Sequence, residues 1–198
     1  MHYTAIAISL FSVMLIGLTA QVQAEDFYLG PCSGDEGLRS FHLSIGDYYH
    51  VQPREIVLVR DRIHDEDELP VVFFIAKHAR VKPVVIIKMR EGGQSWMEIS
   101  RRFGIGPDIY YYALPQRPYA GPYGRAYGHF KRDRQFWKHA RLGDRDIVNL
   151  INLRYMSEHH GCSPEKIIQL RSEGNRFSDI HHELRFGKAD GRAQSASP

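Results

Sequence analysis

Cysteine is scarce in this chain of 198 residues: only Cys32 and Cys162 are present, far apart. Isolated cysteines exclude a c-type haem attachment motif. No glycine-rich loop has the phosphate-cradling pattern, and no serine sits in a nucleophile elbow. Those absences remove the common sequence signatures of nucleotide-binding and acyl-transfer enzymes. The acidic cluster Asp65 to Glu68 precedes a helical stretch and reads as helix N-terminal charge rather than an acid/base pair. Asp179 beside His181 and His182 is a pairing that any polar helix face provides. No catalytic residue is assigned. Beyond residue 24 there is no apolar run long enough to span a bilayer.

The one long apolar run is Ala5 to Ala20, followed by Gln21-Val22-Gln23-Ala24. Short residues at Val22 and Ala24 suit a signal peptidase, so Met1 to Ala24 reads as a secretory signal peptide. Its first residues contain no Lys or Arg, which departs from the usual pattern; an uncleaved anchor is the alternative. The residue after the expected cleavage is Glu25, not Cys, which argues against a lipid anchor. Export to the periplasm or the medium would permit a Cys32–Cys162 disulfide. Two separate thiols are the other reading, because sequence does not place the two Cα atoms within bridging range.

The remainder is dominated by a repeated stretch. His64 to Gly106 and Arg145 to Gly187 align without a gap at an offset of 81, with ten identities in 43 positions. Ordinary composition gives roughly two or three. Pro83/Pro164, Ile86/Ile167, Ile87/Ile168, Arg90/Arg171 and Gly93/Gly174 are among them. Residues 37–62 form a partial third copy, in which Pro53 stands where Pro83 and Pro164 stand. Proline at the first helical position loses nothing, so each marks a helix start. Ser95 and Glu98 have capping-box spacing, and Ser163 is placed as an N-cap.

The expected fold is all-α. It has two three-helix repeats, 64–106 and 145–187, preceded by the partial repeat within one domain spanning 25–187. Expected helices are Asp67 to Ala79, Pro83 to Glu91, Trp96 to Phe103, Asp146 to His160, Pro164 to Glu173 and Arg176 to Leu184. Units this short bury little surface alone, so the copies are expected to pack on each other. The tail 188–198 lacks large apolar residues and is expected to be disordered.

Between the copies, the insert 107–144 is rich in Tyr, Pro and Gly, a density of helix breakers that disfavours regular helix. It is also basic: from Leu114 to Arg145 eight Lys or Arg face only Asp133 and Asp144. Tyrosine, tryptophan and arginine suit interfaces because they bury much area while keeping a polar end. Tyr110, Tyr111, Tyr112, Tyr119, Tyr123, Arg125, Tyr127, Arg132 and Trp137 are therefore candidates for contact with a partner, an envelope protein or an anionic polymer. The competing reading is that these aromatics cover the helical core.

Two further readings concern the second copy and the helix pairs. His159, Cys162, His181 and His182 carry donor atoms suited to zinc or copper, making a metal ion the one candidate cofactor. Ile87 to Ile105 resembles the helix-to-helix turn of helix-turn-helix DNA-binding modules. That resemblance implies a base-reading helix next, yet Gly106 to Leu114 offers tyrosines and stops at Pro115. Nearly all the chain beyond residue 24 is similar to a group of exported bacterial proteins. They share its Pro-started helices, capped Gly-Trp-type helix and Tyr/Pro/Gly-rich insert. This resemblance implies the architecture and the export, but no activity. A non-catalytic envelope scaffold or binding protein is thus the leading expectation, with metal binding and nucleic-acid binding as alternatives.

Overall fold

The computed structural model describes residues 36–115 and 121–193, with side chains to residue 187. The expected signal segment, Cys32, Tyr119 and residues 194–198 lie outside the described residues. The described chain is all-α, with no strand. Its helices are α1 (Glu36–Tyr49), α2 (Pro53–Arg60), α3 (Leu69–Ala79), α4 (Pro83–Glu91), α5 (Trp96–Arg102), α6 (Gly124–His129), α7 (Asp144–His160), α8 (Pro164–Ser172) and α9 (Phe177–Ala193). Short 3₁₀ turns cover Glu66–Glu68, Pro107–Tyr110, Gly121–Tyr123 and Arg134–His139.

Two helices form the centre. The first eight residues of α3, Leu69 to Ala76, are all apolar and all buried. A helical stretch with no polar stripe must be enclosed by others. It packs against α7, which buries most of its length from Asp146 to Ser157. The shorter α4 and α5 pack on α3, while α8 and α9 pack on α7. Across the top, α1 lies along α9 and touches α3 and α7, and α2 rests on α4. Trp96, Ile99, Phe177 and Ile180 are completely enclosed, as their helical spacing requires.

Local chemistry sets the helix ends. α2, α4 and α8 each open on proline. The Ser95 capping box forms: Ser95 N–H donates to Glu98 Oε2 at 2.8 Å, and Glu98 N–H donates to Ser95 Oγ at 3.3 Å. Ser163 Oγ accepts from Lys166 N–H at 3.4 Å. α3 ends on Arg80 at φ +56°, and α7 ends on Gly161 at φ +59°; both are in the left-handed region. These two residues occupy corresponding places at the offset of 81, so the same turn is made with and without a Cβ.

The two helix trios exchange their capping carboxylates. Asp144, at the start of α7, accepts from Trp96 N–H, the first amide of α5, at 2.9 Å. Asp67, just before α3, accepts from Phe177 N–H, the first amide of α9, at 3.2 Å. Beside each sits an arginine. Arg90 binds Asp144 at 2.5 Å and Glu68, with its guanidinium 4.5 Å from the Trp96 ring centre. Arg171 binds Asp67 at 3.3 Å and Asn149 at 3.3 Å, also 4.5 Å above the Phe177 ring. Each trio thus satisfies an orphaned helix amide of the other.

Two expectations are corrected. α9 does not stop at Leu184 but continues through Gly187 to Ala193, so the expected disordered tail is helical over much of its length. The extension holds two glycines, Gly187 and Gly191, each costing a helix only ~1 kcal/mol, and no proline follows until Pro198. The insert also contains a short true helix, α6, which its glycines did not announce. Among the described residues no helix is long and apolar enough to cross a membrane.

Candidate functional site

The insert folds with its aromatics inward. Tyr110 is fully buried; its hydroxyl pairs with Ser100 Oγ, and burial pushes its phenol above the ordinary range. Tyr127 is buried and donates to Tyr112 C=O at 2.7 Å. Tyr111, half-buried, stacks within 4.3 Å of Trp137 and 5.3 Å of Phe130. Trp137 in turn donates its indole N–H to Arg132 C=O at 2.8 Å. Tyr123 is completely enclosed, and its hydroxyl has no partner among the described residues. Edge-on and tilted ring contacts of this kind add ~0.5–1.5 kcal/mol each beyond area burial.

This corrects the expected partner-binding set. Tyr110, Tyr123, Tyr127 and Trp137 are core residues, and Tyr111 and Tyr112 are half-covered. The physical reason is area: with so many rings in one segment, turning them to solvent would forfeit more burial than any turn geometry recovers. Arg125 is exposed, but Asp146 claims its charge at 2.7 Å, which ties the insert to the first turn of α7. Among the residues expected to meet a partner, Arg132 alone is both described and outward-facing without a carboxylate partner.

Its neighbours complete a surface that composition had only outlined. From residue 131 to residue 141 the side chains of Lys131, Arg132, Arg134, Lys138 and Arg141 are all exposed, and Asp133 is the sole acid. Arg132, Arg134, Lys138 and Arg141 form no ion pair among the described residues. Phe136 stands 40% exposed among them, with the Arg132 guanidinium 4.6 Å from its ring. Trp137, Ala140 and Leu142 point the other way and are buried. The segment is therefore a basic ridge with an apolar root.

The expected metal ligands do not converge. His181 is fully buried between α1 and α9, where its Nε2 meets Ser40 Oγ at 2.9 Å and its Nδ1 meets His160 Nε2 at 3.0 Å. His159 instead packs its ring against Tyr155 and Tyr48. His182 is exposed beside Phe186, and Cys162 is half-buried and in no disulfide among the described residues. No group of three or more His, Cys, Asp or Glu able to hold a metal exists among the described residues. Adjacent histidines on a helix point about 100° apart, so His159–His160 and His181–His182 each send one ring inward and one out.

Sequence reading missed the partners of His181, Ser40 and Ser44 on α1. Their only signal was a pair of small polar residues one turn apart, each directly before an apolar residue of the buried face, Phe41 and Ile45. Ser40, His181 and His160 stand in the order nucleophile, base and orienting group. However, Ser40 is 6% exposed and its Oγ already accepts from Arg185 at 2.5 Å, so no substrate carbonyl can reach it. The cluster is a polar seam joining α1 to α9. Burial first, then the neighbouring His160 and His159, push the His181 imidazole down to about 3, keeping it neutral.

The helix-turn-helix resemblance also ends here. After α5 the chain enters the 3₁₀ turn Pro107–Tyr110, whose last side chain is buried, and no base-reading helix follows. Compared with family models, curated proteins and solved structures, the chain has no significant match.

Proposed function

We propose that this chain is a non-catalytic binding protein, exported to the cell envelope after loss of residues 1–24, that holds an anionic polymer on the ridge Lys131–Arg141. The observation that carries the reading is the division of labour within the insert. Its rings anchor the segment to the helices, and five exposed Lys or Arg face outward against one acid. Cations fixed on a rooted backbone lose little freedom on meeting a polyanion, and counterion release drives the association. The reading extends to origin: the helix trios descend from one duplicated unit. Support comes from matching prolines, arginines and left-handed turns at the offset of 81.

The test is binding of labelled polygalacturonate, compared with neutral dextran and duplex DNA, at low and moderate salt. Polygalacturonate is expected to bind at low salt and weaken steeply as salt rises, while dextran does not bind. The triple variant Arg132→Glu, Arg134→Glu, Lys138→Glu is expected to lose at least about tenfold in affinity, as a local cluster of phosphate- or carboxylate-facing cations predicts. Equal binding by wild type and variant would overturn the ridge as the site. Preference for DNA would transfer the reading to nucleic acid. Mass spectrometry of the exported protein, expected to begin at Glu25, tests the leader separately.

A further inference from the structure

A second concave site shares no residue with the ridge. Where the C-terminal end of α1, the C-terminal half of α3 (Phe74, Lys77 and His78), the second half of α7 and residues 112–113 meet, they border an open cleft of about 500 Å³. That volume is in the range of small-molecule sites. Its apolar side is aromatic: Phe74 and Tyr49 are buried beneath it, and Tyr48 and Tyr112 stand half-exposed at its walls.

Two cations face the same space. Arg154 spends one terminal nitrogen on the carbonyls of Tyr111 at 2.7 Å and Ile109 at 3.1 Å. Its guanidinium carbon lies 5.2 Å from the Phe74 ring centre and 5.8 Å from that of Tyr112. The guanidinium is thus held in place, while its Nε and other terminal nitrogen donate to nothing among the described residues. Lys77 lines the cleft with no ion pair or hydrogen-bond acceptor among the described residues. The one carboxylate of the cleft, Glu158, accepts from the Tyr48 hydroxyl.

An oriented guanidinium with free N–H groups recognises a planar carboxylate, and aromatic walls cover a flat ring. Glu158 adds a full negative charge to the same cleft. Against Arg154 and Lys77 this leaves the cleft one net positive charge, which a monocarboxylate neutralises. A dianionic phosphate overfills it and gives up a larger hydration shell, which sets the preference.

We propose that this cleft binds an aromatic monocarboxylate, its carboxylate paired with Arg154 and Lys77 and its ring laid between Tyr48, Tyr112 and Phe74. The site is independent of the polymer-binding ridge, and ridge variants leave it intact.

Calorimetric titration of the full chain with trans-cinnamate, cinnamyl alcohol and cinnamyl phosphate tests it. Cinnamate is expected to bind with Kd of about 1 mM or tighter, in keeping with a ligand of this size. The alcohol is expected to bind at least about tenfold more weakly, with the phosphate weaker than the carboxylate. Lys77→Glu, on an exposed helix face, is expected to cost cinnamate about tenfold while leaving the unfolding temperature within a degree or two. Because Arg154 also braces the insert, Arg154→Lys serves as the second variant: it keeps a charge but loses the fork. Its expected signature is weaker cinnamate binding with the fold retained. No cinnamate binding up to about 10 mM, equal affinity for the alcohol, tighter binding of the phosphate, or indifference to Lys77→Glu would each overturn the assignment.

Discussion

Arg90 and Arg171 hold corresponding positions, lie equally far above an aromatic ring and each reach one carboxylate delivered by the other trio. Their surroundings nevertheless differ in a way that decides how much each matters. Arg90 has two carboxylates, Glu68 and Asp144, of which Asp144 keeps a third of its side-chain surface open to water. Arg171 has one carboxylate, Asp67, only 5% exposed, and a neutral amide, Asn149. Burial raises the Asp67 carboxyl above its usual range, and Arg171 opposes that rise. The same hydrogen-bonding frame thus rests on a wet, over-supplied pair in one trio and on a dry, stoichiometric pair in the other. Losing one partner of the dry pair strands a charge that water cannot reach.

The largest expected effect follows directly. Arg171→Met is expected to destabilise the fold by about 3–5 kcal/mol, and Arg90→Met by about 2 kcal/mol, in urea denaturation at neutral pH. Equal losses would break the comparison. Adding Asp67→Asn to Arg171→Met is expected to recover part of the loss, since the amide oxygen still accepts from Phe177 N–H without a charge. The Arg171→Met deficit is also expected to shrink toward acid. A carboxyl whose folded value is raised contributes stability that is present below its unfolded value and lost as pH rises through the folded one.

A contrast of comparable kind separates this ionic contact from the neutral seam at His181. The folded imidazole titrates at about 3 against an ordinary value near 6.5. Its contribution is therefore complete above about pH 6.5 and is lost as pH falls toward 3. Between pH 7 and pH 5 the expected loss is about 2 kcal/mol from this group. His181→Asn is expected to lower stability at pH 7 but to flatten that part of the pH profile. A variant profile as steep as wild type would assign the acid sensitivity elsewhere.

The smallest effect sharpens the comparison of the trios at their turns. Arg80 accepts a left-handed backbone that Gly161 makes without strain. Arg80→Gly is expected to raise stability by up to about 1 kcal/mol, and Gly161→Ala to lower it by about the same amount. Thermal unfolding of the two variants should show shifts of opposite sign.

What was legible in the sequence was what is local. Pro53, Pro83 and Pro164 open helices because ring geometry and the missing N–H act within one turn, and the Ser95–Glu98 box closes over three residues. The tail was read as disordered because it lacks large apolar residues, yet α9 runs on to Ala193. Penalties of ~1 kcal/mol at each of Gly187 and Gly191 are small beside the packing of the rest of α9 on α1 and α7. Tyr110, Tyr123 and Trp137 were expected to meet a partner and are instead buried against the helical core. Composition states that a ring will be covered; it does not state by what. The ridge, by contrast, was visible as local charge and needed only its root located. The cleft was invisible, since Tyr48, Lys77, Tyr112 and Arg154 come from four separate segments.

Taken alone, the amino-acid order determined an all-helical chain, the places where most helices begin, and the crowding of positive charge in the insert. These depend on forces that act within a turn or on simple composition. Tertiary structure alone decided which rings face inward, that Asp67 and Asp144 cap helices of the opposite trio, and that His181 closes on Ser40 at 141 positions' remove. Those outcomes depend on burial and close approach between distant segments, where desolvation makes each contact either costly or stabilising.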